Sequence, residues 1–184
     1  EDTAAVCDCE FCNKDNNLYD TGRTTAYFAN YIKVANAVAR KMKAWNEEVC
    51  PERDIIIFIW DYGKCKTVPV KLNADGTPYK DENGNYLPYS EELTLEDNIA
   101  VYVCSYSSAM YVSPEGPENE ADNESLKRIQ AIAKNPLIYF YTYSADFIDY
   151  LMPLNTLDNR QDMYRYMRDH GAIGIFDLAQ YDQE

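Results

Sequence analysis

The sequence has little positive charge and no long apolar run. Lys and Arg total 17 against 31 Asp and Glu, which gives a formal net charge of −14. Nucleic acids and anionic membrane surfaces are bound by clustered Lys and Arg, so this balance argues against both. The longest apolar run, near Ile55–Trp60, is much shorter than the roughly 18 residues that a transmembrane helix needs. We therefore expect no nucleic-acid partner and no membrane insertion.

Histidine is also scarce, and this limits the chemistry available. His170 is the only one, and it precedes Gly171 at a predicted helix end, where a cation favours the helix dipole. A Ser-His or Cys-His nucleophilic site needs a histidine base, so we do not expect one. No glycine-rich phosphate loop occurs, and we expect no cofactor.

Six cysteines leave three alternatives open. Cys7, Cys9 and Cys12 lie close together, and with Cys65 or Cys104 they have the ligand types of a tetrahedral zinc site. Only one CxxC pair is present, so disulfides and buried thiols are equally open. We assign no metal ligands.

Four continuous apolar runs of β-forming residues predict four strands. Such runs are typical of strands that are covered on both faces of a parallel sheet. Between them, apolar residues at three- and four-residue spacing predict amphipathic helices. The predicted strands are Ile55–Trp60, Ile99–Cys104, Leu137–Tyr141 and Ala172–Phe176, and the predicted helices span about 24–50, 122–134 and 156–170.

Residues 66–90 have a different pattern. Asn73-Ala74-Asp75-Gly76 and Glu82-Asn83-Gly84-Asn85 are turn signals between short segments rich in Val, Tyr and Leu. We predict a β-hairpin insertion here, within a single α/β domain over residues 1–184.

Several motifs, in this order along the chain, resemble an uncharacterised family of glycoside-hydrolase-like TIM-barrel domains. The family is a bacterial domain of unknown function from carbohydrate-utilisation proteins, distantly similar to α-glucuronidase and hexosaminidase barrels. The motifs are Cys7-x-Cys9-x-x-Cys12, Asp61-Tyr62-Gly63, Asp97-Asn98-Ile99-Ala100-Val101, Tyr139-Phe140-Tyr141, Tyr150-Leu151-Met152-Pro153 and Gly174-Ile175-Phe176.

The resemblance implies a partial (β/α)₈ barrel, with about four of the eight parallel strands. Because the chain opens on Glu1 without a Met, we interpret it as part of a larger protein. The resemblance to carbohydrate-utilisation proteins leads us to expect that this larger protein is extracellular or on the cell surface. Its partners would be carbohydrate and the remainder of the parent protein. Half a barrel exposes two strand edges, so the isolated piece would be inactive and could form a homodimer.

In such barrels, functional residues follow the carboxyl ends of the strands. Glycoside hydrolysis needs two carboxyl groups, and the predicted catalytic residues are Asp61, Asp146 and Asp177. The predicted sugar-binding residues are Tyr62, Tyr106, Tyr143 and Gln180. The alternatives are a non-catalytic glycan-binding module and a structural module of a multidomain surface protein. Paired acids in one cleft would favour hydrolysis, and tyrosine faces along a groove would favour binding.

Overall fold

A computed structural model describes residues 9–14, 18–19, 23–62, 67–104, 112–133, 138–143 and 159–178. Apolar runs form the strands and amphipathic segments form the longer helices, as their patterns predict. The α-helices are α1 (Glu10–Asn13), α2 (Arg23–Val49), α3 (Glu120–Ile132) and α4 (Arg160–Asp169), and the strands are β1 (Ile57–Asp61), β2 (Ile99–Cys104), β3 (Ile138–Tyr143) and β4 (Ala172–Leu178). Two short 3₁₀ helices cover Glu91–Leu93 and Pro117–Asn119.

The four strands form one sheet in the order β1-β2-β3-β4, and every neighbouring pair is parallel. Within the described residues, β1 and β4 each pair with a single strand, so the sheet is open. The prediction of a partial (β/α)₈ barrel is therefore wrong for the fold observed here. Closure of such a barrel requires about eight tilted strands, because the twist between neighbours is only about 20–25°.

One face of the sheet is covered by the helices. Ile59 of β1, Val101 of β2 and Phe140 of β3 point to this face and belong to a single buried cluster. The cluster also contains the apolar stripes of three helices, so the core lies between the sheet and this helix layer. The helix residues in it include Phe28, Ile32, Leu126, Ile129, Ile132, Met163 and Met167.

The opposite face is more open than its sequence predicts. Side chains alternate between the two faces of a strand, and Phe58, next to the buried Ile59, is 41% exposed. Phe176 of β4 is 46% exposed. The expectation that these apolar runs are covered on both faces is therefore wrong for β1 and β4. The described helices pack on one side of the sheet, and on β4 even Ile175, which is level with the buried Phe140 on that side, is 42% exposed.

Helix α2 is the longest of the described helices, and its buried face is narrower than its apolar spacing predicts. Val38 and Trp45 continue the three- and four-residue spacing of its apolar residues, but both are exposed. Thr25, near the start of the helix, is buried. The buried stripe ends at Ala39, whose carbonyl accepts a hydrogen bond from the side-chain amide of Asn98, the residue before β2.

Asn36 fastens α2 to the segment before β2. Its amide nitrogen donates to the Thr94 carbonyl at 2.8 Å and to the Glu92 carbonyl at 3.3 Å. Its amide oxygen accepts from the Glu96 nitrogen at 3.1 Å. A buried amide that satisfies backbone groups in this way positions the helix on the sheet.

The 66–90 segment forms three isolated antiparallel bridges: Val70 with Pro88, Leu72 with Pro78, and Lys80 with Tyr86. Gly76 and Gly84, both at the predicted turns, have φ values of 86° and 81°. Only glycine adopts this left-handed conformation at little cost.

The same segment packs on α3 through Tyr86. The hydroxyl of Tyr86 donates to Glu124, and Lys80 and Lys127 also contact that carboxylate, each at 2.7–2.8 Å. The Arg128 guanidinium lies over the Tyr86 ring. Glu124 therefore joins the bridged segment to the helix layer.

None of the helices in the described parts of the chain is long and apolar enough to cross a membrane.

Candidate functional site

Parallel strands bring several predicted site residues to one edge of the sheet. Asp61 is the last residue of β1 and Tyr62 follows it, Tyr143 ends β3, and Asp177 is the last but one of β4. All four backbone positions lie at the carboxyl edge, where open α/β sheets bind their ligands. Tyr106, Asp146 and Gln180 lie outside the described residues.

Asp61 points to the helix-covered face and is almost fully buried, at 1% exposure. The Ser125 hydroxyl of α3 donates to its Oδ2 atom at 3.4 Å. Asp122, one turn earlier on the same helix, lines the same cavity as Asp61. The sequence pattern did not single out Asp122, because it lies in the acidic stretch Glu115–Glu124, which is typical of a solvated loop.

The cavity beside Asp61 is small. Its volume is about 40 Å³, and a cavity needs about 10–15 Å³ on the same measure to hold one water. It therefore has room for a few water-sized groups and not for a sugar ring. Its walls are mainly apolar and include Val103, Phe140, Met163 and Met167.

Tyr166 of α4 stands at this cavity and donates a hydrogen bond to the Asn123 side chain. Burial, together with the nearby charges of Glu115 and Asp122, raises the pKa of Tyr166 to about 12. Its hydroxyl therefore stays protonated and holds α4 against α3. The cavity is therefore a mainly apolar pocket that a few polar side chains line, and the hydrogen bond from Tyr166 to Asn123 there joins α4 to α3.

The carboxylates of Asp61 and Asp177 belong to β1 and β4, the first and last strands of the sheet. Asp61 is level with Val103, Phe140 and Ile175 across the sheet. Three strand spacings lie between β1 and β4, which is roughly 14 Å at about 4.8 Å each. Paired carboxyl groups in glycoside hydrolases are about 5–10 Å apart. The catalytic roles of Asp61 and Asp177 remain predictions.

Aromatic rings cover the other side of the sheet. We call this surface the aromatic face and define it by Phe58, Trp60, Tyr102 and Phe176. The rings of Phe58 and Trp60, both on β1, each stack against the ring of Tyr102 on β2, with a centroid distance of 4.8 Å in each pair. Phe176 meets Tyr102 edge to face at 6.5 Å. Each ring therefore holds its neighbour in a fixed orientation.

The sequence reasoning missed the aromatic face, because it looked for function only after the strands ended. A signal was present. Phe58 and Trp60 are two residues apart on β1, so they share a face. That Tyr102 of β2 and Phe176 of β4 lie on this same face can be told only from the register of the strands.

No group of three or more potential metal ligands gathers anywhere in the described parts of the chain. Of the cysteines for which zinc was one of three alternatives, Cys9 is exposed and Cys104 is buried at the end of β2. Cys7 and Cys65 lie outside the described residues, so the alternatives for the cysteines stay open.

These features define an α/β protein with an open, four-stranded parallel sheet that has helices on one face and stacked aromatic rings on the other. No family model, curated protein or solved structure matches this chain. The resemblance to the glycoside-hydrolase-like family stays a prediction.

Proposed function

We propose that this chain binds carbohydrate through its aromatic face, as a non-catalytic glycan-binding unit. The observation that supports the proposal is the ordered set of rings formed by Phe58, Trp60, Tyr102 and Phe176, half-buried or exposed on a sheet face that the helices leave open. Carbohydrate is the ligand that the resemblance to glycoside-hydrolase-like domains implies.

The chemistry of the surface suits sugars. A pyranose ring presents C–H groups on its faces and hydroxyls around its edge. Aromatic side chains offer apolar faces to the C–H groups, and Tyr and Trp add a polar edge that can hydrogen-bond the hydroxyls. Because the rings already stack on one another, little side-chain entropy is lost when a ligand binds.

The size of the face favours a small ligand over a protein. Three strand spacings of about 4.8 Å and five residues of about 3.3 Å give a footprint of roughly 250 Å². A stable protein interface buries about 800 Å² on each partner. The aromatic face alone is therefore too small for a tight homodimer, whereas a short oligosaccharide would cover most of it.

The two tryptophans provide a matched test. Trp60 lies on the aromatic face, and Trp45 is exposed on α2 beyond its buried stripe. We expect calorimetric titration with neutral oligosaccharides to show binding to the wild type. Trp60→Ala should weaken it about tenfold, the equivalent of about 1.4 kcal/mol. Trp45→Ala should bind like the wild type.

Controls keep this test clear. Circular dichroism melts verify that Trp60→Ala is folded, and Phe176→Ala, on the edge strand, serves as a second variant. Equal losses from the two tryptophan variants would contradict the proposal. So would a wild type that binds no oligosaccharide and sediments as a dimer that Trp60→Ala dissociates, because the face would then be a protein interface.

Glycoside hydrolysis is the second candidate, because Asp61 and Asp177 lie at the same carboxyl edge. The distance of roughly 14 Å between their strands and the burial of Asp61 argue against it. Hydrolysis predicts release of reducing sugar that Asp61→Asn and Asp177→Asn each abolish. If both variants still bind oligosaccharide and the wild type shows no turnover, hydrolysis is excluded and glycan binding remains.

A further inference from the structure

We infer that helix α2 docks a second copy of this chain through an apolar surface on its flank. We call this surface the α2 flank and define it by Tyr27, Val34, Val38, Trp45 and Val49, all of which are exposed. It belongs to the helix layer, on the other side of the sheet from the aromatic face, so it is independent of carbohydrate binding. The width of the apolar arc on α2, the area of the flank and the charges at its border support this partner.

The apolar residues of α2 occupy a wider arc than the sheet requires. At about 100° per residue, the α2 flank covers roughly 60° of the helix circumference. Tyr31 and Met42, both half-buried, come next, and the buried residues that face the sheet follow them, as far as Ile32. The whole arc is roughly 160° wide and contains no charged residue, whereas a surface helix needs an apolar stripe of about 100°. The excess is the width that a second packing partner would cover.

The other flank of α2 is already attached to its own chain. Three basic residues there form ion pairs with acids of the segment before β2, and the side chain of Asn36 binds the backbone of the same segment. The ion pairs are Lys33–Glu92, Arg40–Glu96 and Lys43–Asp97. These contacts and the buried stripe fix the rotation of the helix about its axis, and the α2 flank is thereby held facing solvent.

The area of the α2 flank suits a dimer of moderate affinity. Val34, Val38, Trp45 and Val49 are each between 46% and 62% exposed. Together with Tyr27, their exposed parts amount to roughly 350 Å² of apolar surface. A standard interface buries about 800 Å² on each partner, and about 65% of it is apolar in homodimers. The flank supplies about two thirds of that apolar area, so we expect a dissociation constant in the micromolar range.

The charges beside the α2 flank favour antiparallel packing of the two helices. Lys41 and Glu48 border the flank. In a parallel dimer each of them would lie beside its own copy, and like charges at such positions repel. In an antiparallel dimer Glu48 lies near the beginning of the partner's α2, where the positive end of the helix dipole attracts a carboxylate.

The spacing of the α2 flank is self-complementary in this antiparallel arrangement. A two-fold axis at Val38 brings together residues that are equally far from it in opposite directions along the helix, as an isologous interface requires. Large apolar side chains occupy every one of these positions. Val38 meets its own copy, and the other pairs are Val34 with Met42, Tyr31 with Trp45, and Tyr27 with Val49.

Analytical ultracentrifugation at increasing protein concentration tests the inference. We expect a reversible dimer at concentrations on the order of tens of micromolar. Val38→Lys places two lysines together at the centre of the interface and should weaken the dimer about tenfold or more. Ala37→Lys adds the same charge at the adjacent exposed position, outside the α2 flank, and should dimerise like the wild type. Circular dichroism verifies that both variants keep their helix, which lysine favours more than valine does.

A second pair of variants tests the direction of packing. Glu48→Gln and Glu47→Gln each remove one negative charge from the end of α2, but only Glu48 borders the flank. Glu48→Gln should weaken the dimer about twofold or more relative to Glu47→Gln, because the attraction to the partner's helix dipole is lost. A tighter dimer for Glu48→Gln than for Glu47→Gln would overturn the antiparallel arrangement.

The two tryptophans separate docking from carbohydrate binding. Trp45→Ala should weaken the dimer and leave sugar binding intact, and Trp60→Ala should do the reverse. A wild type that stays monomeric at every concentration would overturn the inference, as would a dimer that Val38→Lys and Ala37→Lys weaken equally. Neither result changes the expectation for oligosaccharide binding, and a chain that dimerises through α2 without binding sugar would contradict only the proposed function.

Discussion

The two faces of the sheet are built from the same strands but have different surroundings. Ile59 is 2% exposed beneath the helices, whereas Phe58, one residue earlier, is 41% exposed on the aromatic face. Both are large apolar residues in one uninterrupted run. The comparison teaches that such a run predicts a strand, while the helices that pack on it determine which face is the core and which is a surface.

The largest expected effect comes from adjacent substitutions on β1. Ile59→Ala should lower the free energy of unfolding by about 2–4 kcal/mol, because it leaves a cavity in a packed core. Phe58→Ala should cost less than half as much, since that ring is already partly in water. Urea denaturation measures both. Equal losses would mean that the aromatic face is covered in solution, and the contrast between the faces would disappear.

The second prediction tests what holds helix α2 on the covered face of the sheet. Asn36→Ala removes a buried amide. The Thr94 carbonyl and the Glu96 N–H then lose their hydrogen bonds to this side chain. Each buried group left unsatisfied costs about 1–3 kcal/mol, so we expect a loss of about 2–3 kcal/mol in urea denaturation.

The matched control is Asn73→Ala, in the exposed turn of the 66–90 segment, which should change the free energy of unfolding by less than about 1 kcal/mol. A small effect of Asn36→Ala would show that apolar packing alone holds α2 in place.

The smallest expected effect depends on pH. Burial raises the pKa of Glu124, but hydrogen bonds from Lys127, Lys80 and Tyr86 outweigh it and lower the pKa from 4.5 to about 2. A lowered carboxyl pKa stabilises the folded state above pH 4.5, and this contribution is lost as the pH falls from about 4.5 towards 2.

Because the Glu124 side chain is 30% exposed, we expect the loss to be only about 1–2 kcal/mol after screening by solvent. Urea denaturation at pH 5 and at pH 2.5 should show a larger decrease for the wild type than for Glu124→Gln. Identical decreases would show that the link between the 66–90 segment and α3 adds nothing to stability.

Much of the local structure was predictable. The run Ile99–Cys104 forms β2 with the bounds expected from its residues, and Leu126, Ile129 and Ile132 are buried on α3 as their spacing predicts. Gly171, expected at the end of a helix, follows α4 with a φ of 85°. These features depend on residues that are near one another in the chain, so a local pattern is enough.

The candidate site was predicted only in part. Placing Asp61, Tyr62, Tyr143 and Asp177 at one edge needed only the direction of the strands. The orientation of Asp61 towards the core was not predictable, because its face depends on which side α3 occupies. Trp60 and Tyr102 were seen as strand residues, and their stacking depends on a register between segments about forty residues apart.

Amino-acid order alone was sufficient to place the strands, the helices and the glycine turns, because hydrophobic periodicity and backbone sterics act over a few neighbouring residues. Three-dimensional packing set the open sheet, the burial of Asp61 and the exposure of the aromatic rings. These properties arise from contacts between distant segments, and a single layer of helices can cover only one side of a sheet.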